Sequence, residues 1–287
     1  MTEDPTPTSA PQPPEQPHGR AGRNLLAAVA MGLLLGVGFV LVPVLFLPWA
    51  LTIVVSAAMA VGSWELAGAL AGRGIHVTRW VLYVAAVGLP QVAYWWGLQP
   101  LLVAFAVTVL LIFGVRLPKG PDGYVADVSG SVLVVAYTAF MGSFACLLLA
   151  ASQGGMRIIV VLALTVGSDV GGYVAGVLLG RHPMAPRISP KKSWEGFAGS
   201  VIFNAVIGSI LVPWLLGGTW WQGLLTGLVL TVTATGGDLA ESAIKRDLGV
   251  KDMSDLIPGH GGFMDRLDSV LPNLVAGWAM LRVFLGP

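Results

Sequence analysis

The chain has 287 residues, 55% of them hydrophobic and only 11% charged, with a mean hydropathy of +0.78. A soluble domain carries roughly a quarter charged residues, so this composition predicts an all-α polytopic integral membrane protein. A net charge of +1 without a long basic cluster gives no sign of a nucleic-acid surface, and one cysteine, Cys146, excludes an internal disulfide.

Residues 1–23, MTEDPTPTSAPQPPEQPHGRAGR, are proline-rich and polar, and predict a disordered cytoplasmic tail. From Asn24 onward, apolar stretches alternate with short polar breaks. The predicted membrane helices are 24–42, 44–70, 79–96, 98–115, 128–151, 156–180, 194–217, 220–246 and 264–286. The break at Pro43 is the weakest of these, because a proline there could instead kink one long helix. Nine spans place fourteen of the sixteen Lys and Arg residues on one side and only Arg157 and Arg282 on the other. The positive-inside rule then puts the amino terminus in the cytoplasm and the carboxyl terminus outside. The expected location is the plasma (inner) membrane, with residues 24–151 forming an N-terminal set of helices. Residues 152–287 are expected to form a C-terminal transmembrane region, with cytoplasmic loops 181–194 and 247–264. Gly172, Gly176 and Gly180 recur at helix-packing spacing, compatible with a homodimer without requiring one. Trp194, Trp220 and Trp221 suit an interfacial belt.

Charge is concentrated in the C-terminal region. Residues 245–269 hold nine of the thirty-one Lys, Arg, Asp and Glu side chains, whereas Thr219–Gly237 has none. A carboxylate near the bilayer centre costs about 2.5–3.5 kcal/mol on insertion scales, so each one asks for a reason. Asp169 sits mid-span. Asp238, Glu241, Ser242 and Lys245 fall at i, i+3, i+4 and i+7, which makes one polar stripe. Asp265 and Asp268, three apart, are expected on one face at the start of the last helix. Ordinary charge pairing at a membrane boundary, with Arg246 and Arg266 as partners, is one explanation. A divalent metal site is the other: Asp238 and Asp265 come from neighbouring helices and could share one Mg²⁺, which takes one or two carboxylates plus water and phosphate oxygens. Lys191, Lys192, Lys245, Arg246, Lys251 and Arg266 surround them, and carboxylates ringed by cations suit a metal–phosphate complex. In SPKKSWEG, Ser193 is expected to cap a helix whose free amides face an anion. Glu65, in SWELAG of the second span, either pairs with a cation or assists the site. His260, among Gly259, Gly261 and Gly262, serves either substrate or turn.

The run SAIKRDLGVKDMSDLIPGHGGFMDRLDS, Ser242–Ser269, resembles the signature of the phosphatidate cytidylyltransferase (CDP-diacylglycerol synthase) family. The match runs through Ser242, Lys245, Arg246, Lys251, Asp252, the Pro258–Gly262 turn with His260, Asp265, Arg266 and Asp268. SDVGGYVAG and SPKKSWEG resemble two further family segments. Val170 and Gly171 depart from the pattern, since Thr or Ser often follows that aspartate. The resemblance covers about 155–287. It implies a membrane enzyme that uses CTP and phosphatidic acid to make CDP-diacylglycerol and pyrophosphate. It maps the metal-binding aspartates onto Asp238 and Asp265, with Mg²⁺ and room for a second, monovalent cation such as K⁺. Lys191, Lys192, Lys245 and Arg246 are then expected on phosphates, with Asp268, Asp252 and His260 shaping the site and Asp169 and Ser193 lining it. A CTP-dependent polyprenol kinase and a cation-coupled transporter using Asp169 and Asp238 are the alternatives.

Overall fold

A computed structural model describes residues 48–254, 256 and 261–287. The tail, the predicted span 24–42 and His260 lie outside these residues. Eight helices are described: α1 (Pro48–Ala71), α2 (Arg79–Trp96), α3 (Leu98–Arg116), α4 (Tyr124–Ala150), α5 (Gly154–Leu179), α6 (Trp194–Leu216), α7 (Trp220–Leu248) and α8 (Val270–Leu285). Six of them, all but α2 and α8, are long and apolar enough to cross a membrane. The chain is a polytopic helical membrane protein.

Two expectations need correction. Residues 181–194 are not simply a loop in an all-α chain: β1 (Pro183–Ala185) and β2 (Ser189–Ser193) pair antiparallel, Pro183 opposite Ser193 and Ala185 opposite Ser189. The last helix begins at Val270, not at 264. Met264–Arg266 is a 3₁₀ turn, so Asp265 and Asp268 precede α8 rather than occupying its first turn. Asp268 accepts the amide of Ser269 just before the helix, while Asp265 is held by the amides of Met253 and Gly262 on the preceding loop.

Between lipid-facing helices there is little hydrophobic driving force, and small residues decide how close they come. A Cβ on Gly223 of α7 would lie 2.0 Å from the Gly208 carbonyl oxygen of α6, and one on Gly172 of α5 would lie 2.6 Å from Ser200 Oγ of α6. Buried polar groups stitch the same helices. Asn204 Nδ2 donates to the Leu164 carbonyl (2.8 Å) and to Thr231 Oγ1 (2.9 Å), and Asn273 Nδ2 donates to Thr165 Oγ1 (2.9 Å). These bonds lock α5, α6, α7 and α8 beneath the cleft described below. α8 also packs on the second half of α4, joining the two sets of helices. Cys146 is free and buried there.

Hydrogen bonds identify the helix ends that lie together. Arg73 Nε donates to the Leu248 carbonyl (2.9 Å), joining the end of α1 to the end of α7. Arg116 meets Asp127 at 2.7 Å, and Asp127 also accepts the His76 amide (2.6 Å), bringing in α2, α3 and α4. At the opposite end, Arg157 donates to the Gly286 carbonyl (2.9 Å) and Gln222 to that of Phe284 (3.3 Å). Among the described residues, the acids and most of the cations gather at one end.

Candidate active site

At that end, a cleft of about 380 Å³ opens between α5, α7, β2 and the start of α6. Asp169, Lys191, Lys192, Ser193, Thr235 and Asp238 are among its lining residues. Ser193 ends β2 and caps α6, its Oγ accepting the Gly196 amide at 3.1 Å, as the sequence predicts. Glu195 accepts the amides of Arg181 (3.1 Å) and His182 (3.2 Å) and meets His182 Nδ1 at 2.5 Å, which fastens the hairpin to α6. Gly172 and Gly176 line the cleft and also pack against α6, so packing and cleft shape come from the same glycines.

Asp238 stands on the α7 wall. Lys192 Nζ lies 2.6 Å from its Oδ2, and Ser242 Oγ donates to its Oδ1 at 3.3 Å. This is a cation and an acid facing each other across a cleft that also receives the N-terminus of a helix. The lysine and the helix N-terminus offer positive charge to an anion, and the carboxylate offers oxygen ligands to a cation.

Asp265 lies at the same end but is held separately. Its Oδ1 takes Lys245 Nζ at 2.6 Å, and its Oδ2 takes the amides of Met253 (3.0 Å) and Gly262 (2.8 Å). Burial pushes this carboxyl up, but Lys245 and the two amides outweigh it and hold the group below the usual carboxylate range. Gly261 has φ +80°, a left-handed conformation, and a Cβ there would lie 3.2 Å from both Asp252 Oδ1 and Asp265 Oδ2. Arg246 Nε approaches the Ile188 carbonyl at 3.5 Å, linking α7 to the hairpin turn. Lys251, Asp252 and Arg266 are exposed around the loop.

Asp268 lies close to Asp238. A Cβ on Gly237 would lie 2.3 Å from the Asp268 carbonyl oxygen, so the absent side chain lets this segment press against α7 beside Asp238. Burial first, then the Asp238 charge, raise the Asp268 carboxyl to about 6. Its folded value thus exceeds the ordinary 3.8. The stability it confers is full below about pH 4 and is lost as pH rises through 6. With divalent ions chelated, Asp268→Asn is therefore expected to stabilise the protein at pH 7.5, by on the order of 3 kcal/mol. The gain should vanish near pH 4, as thermal unfolding at the two pH values will show.

The sequence profile of the cytidylyltransferase family matches residues 27–284. The chain is 40% identical over 280 residues to a phosphatidate cytidylyltransferase of Mycobacterium leprae, covering 92% of this chain and 89% of the relative. It is 38% identical over 288 residues to one of Mycobacterium tuberculosis (96% and 87%). It is 30% identical over 231 residues to one of Staphylococcus epidermidis (70% and 89%). The chain belongs to the cytidylyltransferase family.

Among the described residues of this cytidylyltransferase, no three His, Cys, Asp or Glu side chains converge as metal ligands. Asp238 and Asp265 each already engage a lysine. Two lysine-paired carboxylates are too few for an all-protein cage, and an ion here would take its remaining ligands from water and phosphate.

Three site-end groups have no settled site role in the sequence, although Glu241 falls on its polar stripe and Glu65 is one of its open alternatives. Glu241 is fully buried; Lys245 Nζ stands 3.6 Å from its Oε1, yet neither carboxylate oxygen meets a hydrogen-bond donor among the described residues. Tyr137 lies in a π-helical turn of α4, Ala136–Phe140, and its buried hydroxyl also lacks a partner there. Such turns mark functional sites, but nothing in the local sequence announces one. The third, Glu65, did carry a signal: it is an acid within an apolar span.

Proposed function

We propose that this chain transfers the cytidylyl group of CTP to phosphatidic acid, giving CDP-diacylglycerol and pyrophosphate. Its membership in the cytidylyltransferase family supports nucleotidyl transfer. The observation that carries the reading is the cleft in which Lys192 faces Asp238 at the N-terminus of α6, at the end of lipid-exposed helices. Only such a position serves both a water-soluble nucleotide and a membrane-borne phosphate.

In this reading, a phosphate oxygen of the lipid attacks the α-phosphorus of CTP, and the bond from that phosphorus to the pyrophosphate oxygen breaks. The nucleophile is already anionic and needs no strong base. The obstacle is repulsion between two anions. Lys191 and Lys192 from β2, with Lys245 and Arg246 from α7, offset it, and the free amides of α6 receive phosphate oxygens. Asp238 and Asp265 are the residues that would hold Mg²⁺, whose charge, when bound, would neutralise the triphosphate. Asp268, Asp252 and His260 would shape the loop, and Asp169 and Ser193 the cleft. The proposed topology has nine spans, with the amino terminus and the cleft on the cytoplasmic face of the inner membrane. The gathering of basic side chains at the cleft end supports that orientation.

The test is a membrane assay with CTP labelled at the α or the γ phosphate. Label from the α position should enter lipid, and γ label should leave as pyrophosphate. Lipid carrying γ label would make the protein a kinase. No labelled lipid from either would leave transport as the explanation.

A further inference from the structure

The family signature lies wholly in the C-terminal region, yet its loop is held by a side chain from α1. Glu65 is 2% exposed. Its Oε1 accepts the Phe263 amide at 2.8 Å and the Ser254 hydroxyl, and its Oε2 accepts the Met264 amide at 2.6 Å. A buried carboxylate with this many donors is built into its place, because leaving it unpaired would be costly. The neighbouring residues are shaped to it. Gly62, one turn earlier on α1, has no Cβ where the Met264 sulfur sits (2.9 Å), and Met264 is fully buried against it.

Glu65 and Asp265 grip the same two strands of the loop in alternation. Asp265 takes the amides of Met253 and Gly262, and Glu65 takes Ser254, Phe263 and Met264. Gly262 is wedged between the two acids: a Cβ there would lie 3.0 Å from Asp265 Oδ2 and 3.1 Å from Glu65 Oε1. Asp265 can hold Lys245 only while the turn that carries it stays fixed, and the turn is fixed by Glu65.

We propose that Glu65 is a positioning residue for the catalytic loop, setting the place of Asp265 from the N-terminal helices without touching substrate. The proposal rests on the cytidylyl-transfer reading for its effect on rate, but the clamp itself does not. Glutamine at 65 keeps one acceptor oxygen and turns an NH₂ group toward a backbone donor. Aspartate keeps both acceptors on a shorter stem.

The experiment uses the full chain in lipid nanodiscs. In Glu65→Gln, kcat should fall at least about 10-fold, since a displacement on the order of 1 Å costs about 100-fold. The Mg²⁺ concentration for half-maximal activity should rise several-fold, and the KM for CTP should change less than kcat. Glu65→Asp should recover part of the rate. Hydrogen exchange should quicken in residues 261–269 of Glu65→Gln while α5 and α6 keep wild-type protection. Wild-type kcat and Mg²⁺ dependence in Glu65→Gln would overturn the proposal. So would a loss of activity that merely follows the loss of folded protein, with Mg²⁺ dependence unchanged. If wild-type protein transfers no cytidylyl group, the functional reading fails. The exchange arm still decides the clamp, because unaltered exchange in 261–269 would refute it independently.

Discussion

Asp265→Asn is expected to reduce cytidylyl transfer by about 100- to 1,000-fold. Both oxygens of Asp265 are committed, one to Lys245 at 2.6 Å and the other to the Met253 and Gly262 amides. Asparagine is isosteric but replaces one acceptor with an NH₂ group. Turned one way, that group faces two amide donors; turned the other way, it faces an ammonium. Either choice removes the closer carboxylate partner of Lys245 and leaves it, among the described residues, only Glu241, 3.6 Å away. The side chains of Lys245 and Asp265 are only 14% and 8% exposed, so little solvent screening softens the loss. Breaking such a pair destabilises by about 3–5 kcal/mol, so thermal unfolding should shift together with activity. Full transfer by a stably folded Asp265→Asn would remove this residue from the site.

Lys192→Gln is expected to lower kcat/KM for CTP about 100-fold, with most of the change in KM. Lys192 spans the cleft to Asp238 at 2.6 Å, whereas Lys191, its neighbour on β2, is exposed. If the hairpin acted through overall charge alone, Lys191→Gln would cost as much. The geometry instead predicts a several-fold loss for Lys191→Gln, and initial rates against CTP concentration will separate the two. Equal losses in the two variants would count against an assigned role for the Lys192–Asp238 pair.

Much of this architecture is legible from apolar runs, because a lipid-facing helix needs about twenty residues with few charges. The eight predicted spans from 44–70 onward each find a described helix. Boundaries drift where polar side chains compete with the helix for backbone groups, as Asp268 does for the Ser269 amide before Val270. The hairpin at 183–193 was not legible. Its prolines and lysines show no alternation, and its place is fixed by Glu195 and Ser193, which begin the next helix. Within the site, residue types could be read but pairings could not. Lys245 is four residues from Glu241 on one helix, and that spacing suggests a partnership. In three dimensions its shorter contact is with Asp265, across the turn. The burial of Glu65 beneath that turn depends on how α1 meets a loop almost two hundred residues away, which no local pattern encodes.

The contacts of Arg73 have a geometric consequence. Its guanidinium holds the Asp247 and Leu248 carbonyls where α7 ends, and Glu65 holds Phe263 and Met264 where the chain turns toward α8. The segment between therefore departs from and returns to footings on α1 and the turn just after it, Glu65 within the helix and Arg73 two residues beyond Ala71. α1 acts as a ruler for the signature segment, and the span that segment must bridge is dictated from outside its own sequence.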